Sequence, residues 1–401
     1  MKRRNRLWLV CCLVVSLAGV AEAQFLEAFE DQDLRVDPAG IDGWSFFSGD
    51  GQTTIDFMAT GRGYASIRVD ATRDRRNVWW ALVKHRVSQD LDLERLSRPG
   101  WELRVEARIR SSHGPRRVNL HVNTQRTTDF HSHLMEYDIP KAGIWYTISM
   151  TTRDFLLEPG DTVFAQMALM DWGHDRYDLD VDYFKADVVE AERAGPDVGE
   201  PLPYHPPIPD PGSFEVAMQA ADAAVVDLAQ PDVNLGEWAV LDGGNRTRVL
   251  TVGGTMWVIL RWDLEAFEGG RVGGHGLLQL TTHSVQRNAE QIKDFGLLRV
   301  VEISGGDSAW RRGTVSLTGL LQGKSIAEVF NPQMIIDWPV SEGAGATTSL
   351  TITRPVLQRL VDGTTTGLAL TPLGSIVASF STREGDAPRL LFNIENRPGG
   401  E

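Results

Sequence analysis

From Val118 to Asp138 the chain reads VNLHVNTQRTTDFHSHLMEYD, with planar hydrogen-bonding side chains at every second position of its first half. Asn119, His121, Asn123 and Gln125 alternate with Val118, Leu120, Val122 and Thr124. That pattern is a strand with one face on a core and one polar face rich in amides and imidazole instead of Lys and Glu. After the turn-like Arg126-Thr-Thr-Asp129, a second run sets His131, His133, Met135 and Tyr137 on one side and Ser132, Leu134, Glu136 and Asp138 on the other, as an antiparallel partner would. Such a surface can donate and accept hydrogen bonds to a hydroxyl-rich ligand. The reading requires His121 and His133 to share one open trough.

The same residue types could do more than bind. Elimination from a uronate polymer needs a group to neutralise the carboxylate, a base and an acid; Arg108 or Asn119, His121 or His133, and Tyr137 or Tyr146 are the candidates. Hydrolysis would draw on Glu102, Glu106 and Glu136. Against that, alternating Arg104, Glu106 and Arg108 reads better as a solvated ladder of ion pairs. His131-Ser-His133 offers two metal ligands, but no further His or Asp completes a known spacing. Trp79, Trp80, Trp145 and Trp172 are candidate platforms for the apolar faces of sugars; Trp79 and Trp80, being adjacent, must face opposite ways.

These residues need an all-β frame. Residues 24–190 read as short strands, among them Trp101–Ile109, Val118–Thr124 and Tyr177–Val189, separated by Gly, Pro, Asp and Ser clusters, which predicts an antiparallel sandwich or jelly roll. Only Leu91–Leu96 suggests a helical turn there. Residues 191–213 hold seven of the nineteen prolines and predict an extended spacer between two domains. Residues 214–401 again read as strands, with one helix at Pro355–Val361, a short turn at Ser325–Phe330 and a strand at Thr314–Leu317. Trp257 and Trp262 must face opposite ways if their strand is regular. The paired glycines Gly243-Gly244 and Gly253-Gly254 lack a following Lys-Ser/Thr and read as hairpin turns.

Residues 1–23 read as a cleaved signal peptide: Lys2, Arg3, Arg4 and Arg6, then apolar Leu7–Val20, then Ala21-Glu22-Ala23. Both cysteines, Cys11 and Cys12, lie within it, so no disulfide or thiolate chemistry is expected in the processed chain. No other stretch approaches a membrane span. A net charge of −14 argues against nucleic acid as a partner. A secreted protein of the bacterial envelope or medium is the expectation.

Three resemblances sharpen this. Phe25-Leu-Glu-Ala-Phe-Glu30, Gly43-Trp44 and Val181-Asp-Tyr-Phe-Lys-Ala-Asp-Val-Val189 resemble the ends of jelly-roll carbohydrate-binding modules related to galactose-binding domains. The resemblance implies glycan binding and a structural calcium joining the first and last strands, for which Glu27, Glu30, Asp180 and Asp182 match. The second half resembles DNRLRE-type domains, also found as carbohydrate-binding modules. It does so through Ala223-Ala-Val-Val-Asp227, Asn234-Leu-Gly236, Trp257 to Leu264, Phe380-Ser-Thr-Arg-Glu384 and Ala387-Pro-Arg-Leu-Leu-Phe392; Trp262 stands where that family usually has Phe. Arg104, Glu106 and Arg108, Asn119-Leu-His121 and Tyr183-Phe-Lys-Ala186 resemble jelly-roll alginate lyases, departing at Val188 and Val189 where a catalytic tyrosine is expected. Together they imply a non-catalytic, secreted polysaccharide-binding protein whose ligand lies on Asn119, His121, Asn123, Gln125, His131 and His133 with Trp79 and Trp80. A lyase using His121, His133, Arg108 and Tyr137 is the first alternative, and an adhesive envelope protein the second.

Overall fold

The computed structural model describes residues 24–30, 36–37, 43–48, 54–73, 80–170, 175–203, 206–287 and 296–395. The signal-like segment, Trp79 and Trp172 lie outside the described residues.

The first half is built from β1 (Phe25–Glu27), β2 (Trp44–Ser48), β3 (Thr54–Ala59), β4 (Ala65–Asp70), β5 (Trp80–Arg86), the short α1 (Leu93–Leu96), β6 (Trp101–Ser111), β7 (Arg116–Thr124), β8 (Leu134–Ile139), β9 (Trp145–Thr151), β10 (Val163–Met170), β11 (Arg176–Glu190) and β12 (Glu200–Pro201). They form two antiparallel sheets, ordered β3-β4-β11-β6-β9 with β1 also on β11, and β12-β8-β7-β10-β5-β2. Period-two alternation puts Leu103, Val105, Ala107 and Ile109 of β6, Val118, Leu120 and Val122 of β7, and Val163, Ala165, Met167 and Leu169 of β10 into one shared core. Trp44 lies within it, edge-on to Phe57 and Phe184 at 5.3 and 5.4 Å between ring centroids. In β11 a bulge between Val181 and Tyr183 switches the buried set from Leu179 and Val181 to Phe184, Ala186 and Val188.

The second half is also a sandwich. Its largest sheet runs, in order, through Val216–Gln219, Arg389–Phe392, Gly276–Arg287, Ile376–Ser381, Asn245–Gly253, Met256–Arg261, Gly367–Leu373, Leu297–Ile303 and Phe330–Trp338. Val258 and Leu260 enter one core and Ile259 the other, so Trp257 and Trp262 are divided between the two cores as the odd spacing requires. Trp310 and the helices α2 (Leu317–Leu321) and α3 (Ile326–Val329) cover the second core. The expected strand at Thr314–Leu317 is instead a turn that leads into α2 at Leu317. Ser316 caps it, its hydroxyl accepting from Gly319 N at 3.1 Å. The expected helix is α4 (Arg354–Val361), with proline in its first turn.

The proline-rich segment departs most from expectation. It is docked, not extended between the halves: Ser149 of β9 and Val198 are bridged by backbone hydrogen bonding, while Glu200 and Pro201 pair with Asp138 and Tyr137 of β8. Leu202 is fully buried in the core that holds Val258 and Leu260. Proline is tolerated at such an edge because one side of the strand needs no donor. Gly199 permits the approach: its φ is +112°, and a Cβ there would lie 2.6 Å from the Tyr137 ring.

Candidate functional site

The outward face of the second sheet is assembled by register. Asn119 lies opposite Glu136 of β8 and Ala168 of β10; His121 lies opposite Leu134 and Gln166; Asn123 lies opposite Phe164. On β5, Lys84 faces Gln166 and Ser45, and Arg86 faces Phe164. Since Val118, Leu120 and Val122 fill the core, Asn119, His121 and Asn123 stand together on the polar side, as their alternation predicts.

The floor of this face is buried. Asn119 is 2% and His121 6% exposed, and among the described residues neither Asn119 Oδ1 nor His121 Nε2 has a hydrogen-bond partner. Burial, with His133 and His131 adding to it, pulls the His121 imidazole down to about 4, so it is neutral at pH 7. Phe130, from the loop after β7, lies edge-on to His121 at 5.9 Å. Gln166 Nε2 donates to Asn123 Oδ1. Arg117 pairs with Glu136 at 3.2 Å, and burial still pushes that carboxyl up. The rim is more open: Phe47 is 40% exposed, with Lys84 Nζ 4.6 Å from its centroid and 4.6 Å from that of Phe164.

Several expected members lie elsewhere. His133 is bonded through its carbonyl to Val122 N, which puts it in phase with the core side of β7, and its ring packs edge-on against buried Phe155 at 4.9 Å. His121 and His133 therefore do not share a trough, so the two-histidine site expected from the sequence is overturned, and the ligand face that remains is that of Asn119, His121 and Asn123 without His133. The phase expected for β8 is inverted: Met135 and Tyr137 face inward and Glu136 joins the polar side. His131 remains exposed on the loop beside Asp129. Gln125 has left the strand and braces the 160–162 turn, donating to Asp161 Oδ1 at 3.2 Å and accepting from Thr162 N at 2.7 Å. Trp80 opens β5. Glu136 was read from the sequence only as a candidate hydrolytic carboxylate, and Gln166, Lys84, Arg86, Phe47 and Phe164 were not legible as site residues.

The four candidate lyase residues do not converge. Arg108 is on the outward face of the other sheet, paired with Asp182 at 2.5 Å and packed 5.3 Å from the Trp145 centroid. Tyr137 is 1% exposed in the core, its hydroxyl donating to Ser149 O at 2.5 Å, and burial pushes the phenol above its ordinary value. It acts as a structural anchor. Tyr137→Phe is expected to cost about 1 to 2 kcal/mol in denaturant unfolding and to leave ligand retention unchanged; lost retention with unaltered stability would restore a functional role.

The Arg/Glu strand is the ion-pair ladder expected of it. Glu106 takes Lys185 at 3.1 Å and the Tyr183 hydroxyl at 2.8 Å, and Arg110 takes Asp180 at 2.6 Å. Glu102 is spent on Thr152 and on the amides of Asp154 and Phe155. Of the residues matched to a calcium, Asp180 and Asp182 pair with Arg110 and Arg108, Glu27 accepts from Phe29 N at 3.1 Å, and Glu30 is exposed. Among the described residues no group of three or more His, Cys, Asp or Glu is placed to hold an ion.

The second half carries a separate cavity of about 690 Å³ beside strands Asn245–Gly253 and Ile376–Ser381. Its floor is a hydroxyl ladder, Trp238 Nε1 donating to Thr251 Oγ1 at 3.0 Å and Thr251 bonded to Ser379 at 2.9 Å.

No protein-family model matches the chain, and no curated protein does. Solved structures similar to it include the family 4 carbohydrate-binding module described as "CBM4 structure and function", 13% identical over 40% of this chain and 97% of that one, TM-score 0.30. Another is the CBM22-2 xylan-binding domain from Paenibacillus barcinonensis Xyn10C, 17% identical over 42% of this chain and 100% of that one, TM-score 0.28. The CBM22-1-CBM22-2 tandem domain of the same protein is 11% identical over 93% of this chain and 97% of that one, TM-score 0.28.

Proposed function

We propose that this chain is a secreted, non-catalytic polysaccharide-binding protein whose ligand lies across the outward face of the β12-β8-β7-β10-β5-β2 sheet. One observation carries the reading: strand register gathers Asn119, His121, Asn123, Gln166 and Lys84 on one outward face with the exposed Phe47 ring. Sugars offer what the face lacks, hydroxyls for the amide and imidazole and apolar ring faces for Phe47 and Phe164. The hydroxyl-floored cavity beside Trp238 gives the second half a surface of similar chemistry, in keeping with a role as a further binding module. A lyase mechanism is not favoured, because Arg108 lies on the outward face of the other sheet and Tyr137 in the core, both away from His121.

Affinity per site is expected on the order of 10 μM to 1 mM. The test is affinity electrophoresis of the whole chain in native gels carrying a panel of soluble polysaccharides, run beside an ultraviolet assay for unsaturated products. Retardation without product release is the expected result. Product release that His121→Ala abolishes would overturn the non-catalytic reading, and absence of retardation by every polymer would leave the adhesive alternative.

A further inference from the structure

Lys84 and Arg86 are consecutive outward residues of β5, about 7 Å apart along the strand. Both lie on the face that carries Asn119, His121 and Asn123. Among the described residues neither has a carboxylate within ion-pairing distance, and Arg86 Nε is buried without a hydrogen-bond partner. The contrast with the rest of this half is sharp: Arg104, Arg108, Arg110, Arg117, Arg126 and Arg176 each hold an Asp or Glu. In a chain of net charge −14, carboxylates are abundant, yet among the described residues none pairs with the two cations beside Asn119 and His121.

Lys84 is also held in an unusual setting. Its ammonium lies between the Phe47 and Phe164 rings, and burial lowers its pKa. A half-buried cation without a counter-ion is unfavourable unless something of opposite charge arrives to pair with it. The exposed Phe47 ring offers a sugar an apolar face beside the ammonium, and the two cations offer partners for acidic groups spaced along it.

We infer that the ligand of this face is an anionic polysaccharide, its acidic groups paired with Lys84 and Arg86 while its rings lie against Phe47 and Phe164. This rests on the polysaccharide reading above and narrows it to a class. Uronate carboxylates and sulfate esters share the required chemistry. Nucleic acid shares the charge, and the net charge of −14 opposes every polyanion alike, so single-stranded DNA is the comparison that separates a sugar polymer from charge alone.

The test uses the full chain in affinity gels containing alginate or polygalacturonate, a sulfated galactan, a neutral β-glucan or single-stranded DNA, at low and at 300 mM salt. Lys84→Met and Arg86→Met preserve the apolar stems, so the fold is retained; circular dichroism and the unfolding midpoint check this, and Lys84→Arg serves as the conservative rescue. The expected result is retardation by an acidic glycan, weakened by salt, with roughly tenfold loss of affinity for each charge removed. Carboxylate polymers alone retarding the chain would identify uronates, and sulfated polymers alone would identify sulfate esters. If the neutral glucan binds as well as the acidic polymers and the double variant changes neither, the anionic assignment is overturned while polysaccharide binding stands. If DNA binds as tightly as the glycans, the assignment to a sugar polymer falls. If no polymer binds, the underlying reading falls with it.

Discussion

Arg359→Met is expected to destabilise the protein by about 3 to 5 kcal/mol, the cost of stranding buried carboxylates without their cation. Arg359, on α4 of the second half, donates to Asp138 of β8 at 2.7 Å and to both oxygens of Glu302 at 2.8 and 3.1 Å. Glu302 is completely buried and also accepts from Thr365 at 2.8 Å and Asn331 at 2.9 Å, and Asn331 in turn accepts from Arg116 of β7 at 3.2 Å. Burial works against the guanidinium's charge, but Glu302 and Asp138 outweigh it and hold the group ionised. Burial likewise pushes the Asp138 carboxyl up to about 6, against the pull of Arg359. One cation thus serves two acids. Asp138→Asn should be far milder than Arg359→Met at pH 7, since it removes the surplus negative charge and keeps a hydrogen-bond acceptor. Calorimetry should detect the first variant as a lowered transition, divided into two if the halves depend on this contact to unfold together. A shift below about 1 kcal/mol for Arg359→Met would mean that water replaces the lost partner and that the network contributes little.

Acid should cost the protein stability through His121, by about 2 kcal/mol at pH 5 and about 3 kcal/mol at pH 4. The imidazole titrates near 6.5 when exposed and at about 4 in the fold. Between those values the unfolded chain holds a proton that the folded chain refuses. The contribution is therefore fully present above pH 6.5 and is lost as the pH falls toward 4. Asp138 acts oppositely over nearly the same window, because its folded pKa lies above its ordinary value of 3.8, so stability from that group rises as the pH falls from 6. The two partly cancel in the wild-type curve. Subtracting the curve of His121→Leu isolates the imidazole, and a difference that stays flat between pH 7 and 4 would show that His121 is hydrated or charged in the folded state.

Much of the candidate site was legible and part of it was inverted. Asn119, His121 and Asn123 fall on one face because they alternate with Val118, Leu120 and Val122, residues that have no other place than the core. The next strand has apolar residues in both phases, Leu134 in one and Met135 and Tyr137 in the other, so alternation alone does not select its face. The loop from Gln125 to His133 sets the register, and a shift of one residue exchanges the faces of the whole strand. That single step sent His133 and Tyr137 inward and brought Glu136 outward. The proline-rich segment was legible as a break between halves, but its few pairing contacts with β8 and β9 depend on edges that exist only once the sheets have formed.

By itself the sequence determined the all-β class, the alternation that builds each strand, the ladder of Arg and Glu on β6, and which way β7 turns its amides and imidazole. These follow from side-chain periodicity and charge, which are local properties of the chain. Only the tertiary structure decided the composition of the site. Strand order carried Gln166, Lys84, Arg86 and Phe47, from strands remote in sequence, beside His121, and ion pairing took Asp180 and Asp182 away from any shared cation while leaving Lys84 and Arg86 without one. Which charges meet depends on long-range pairing between strands, and that is set by the burial of all the sheets together.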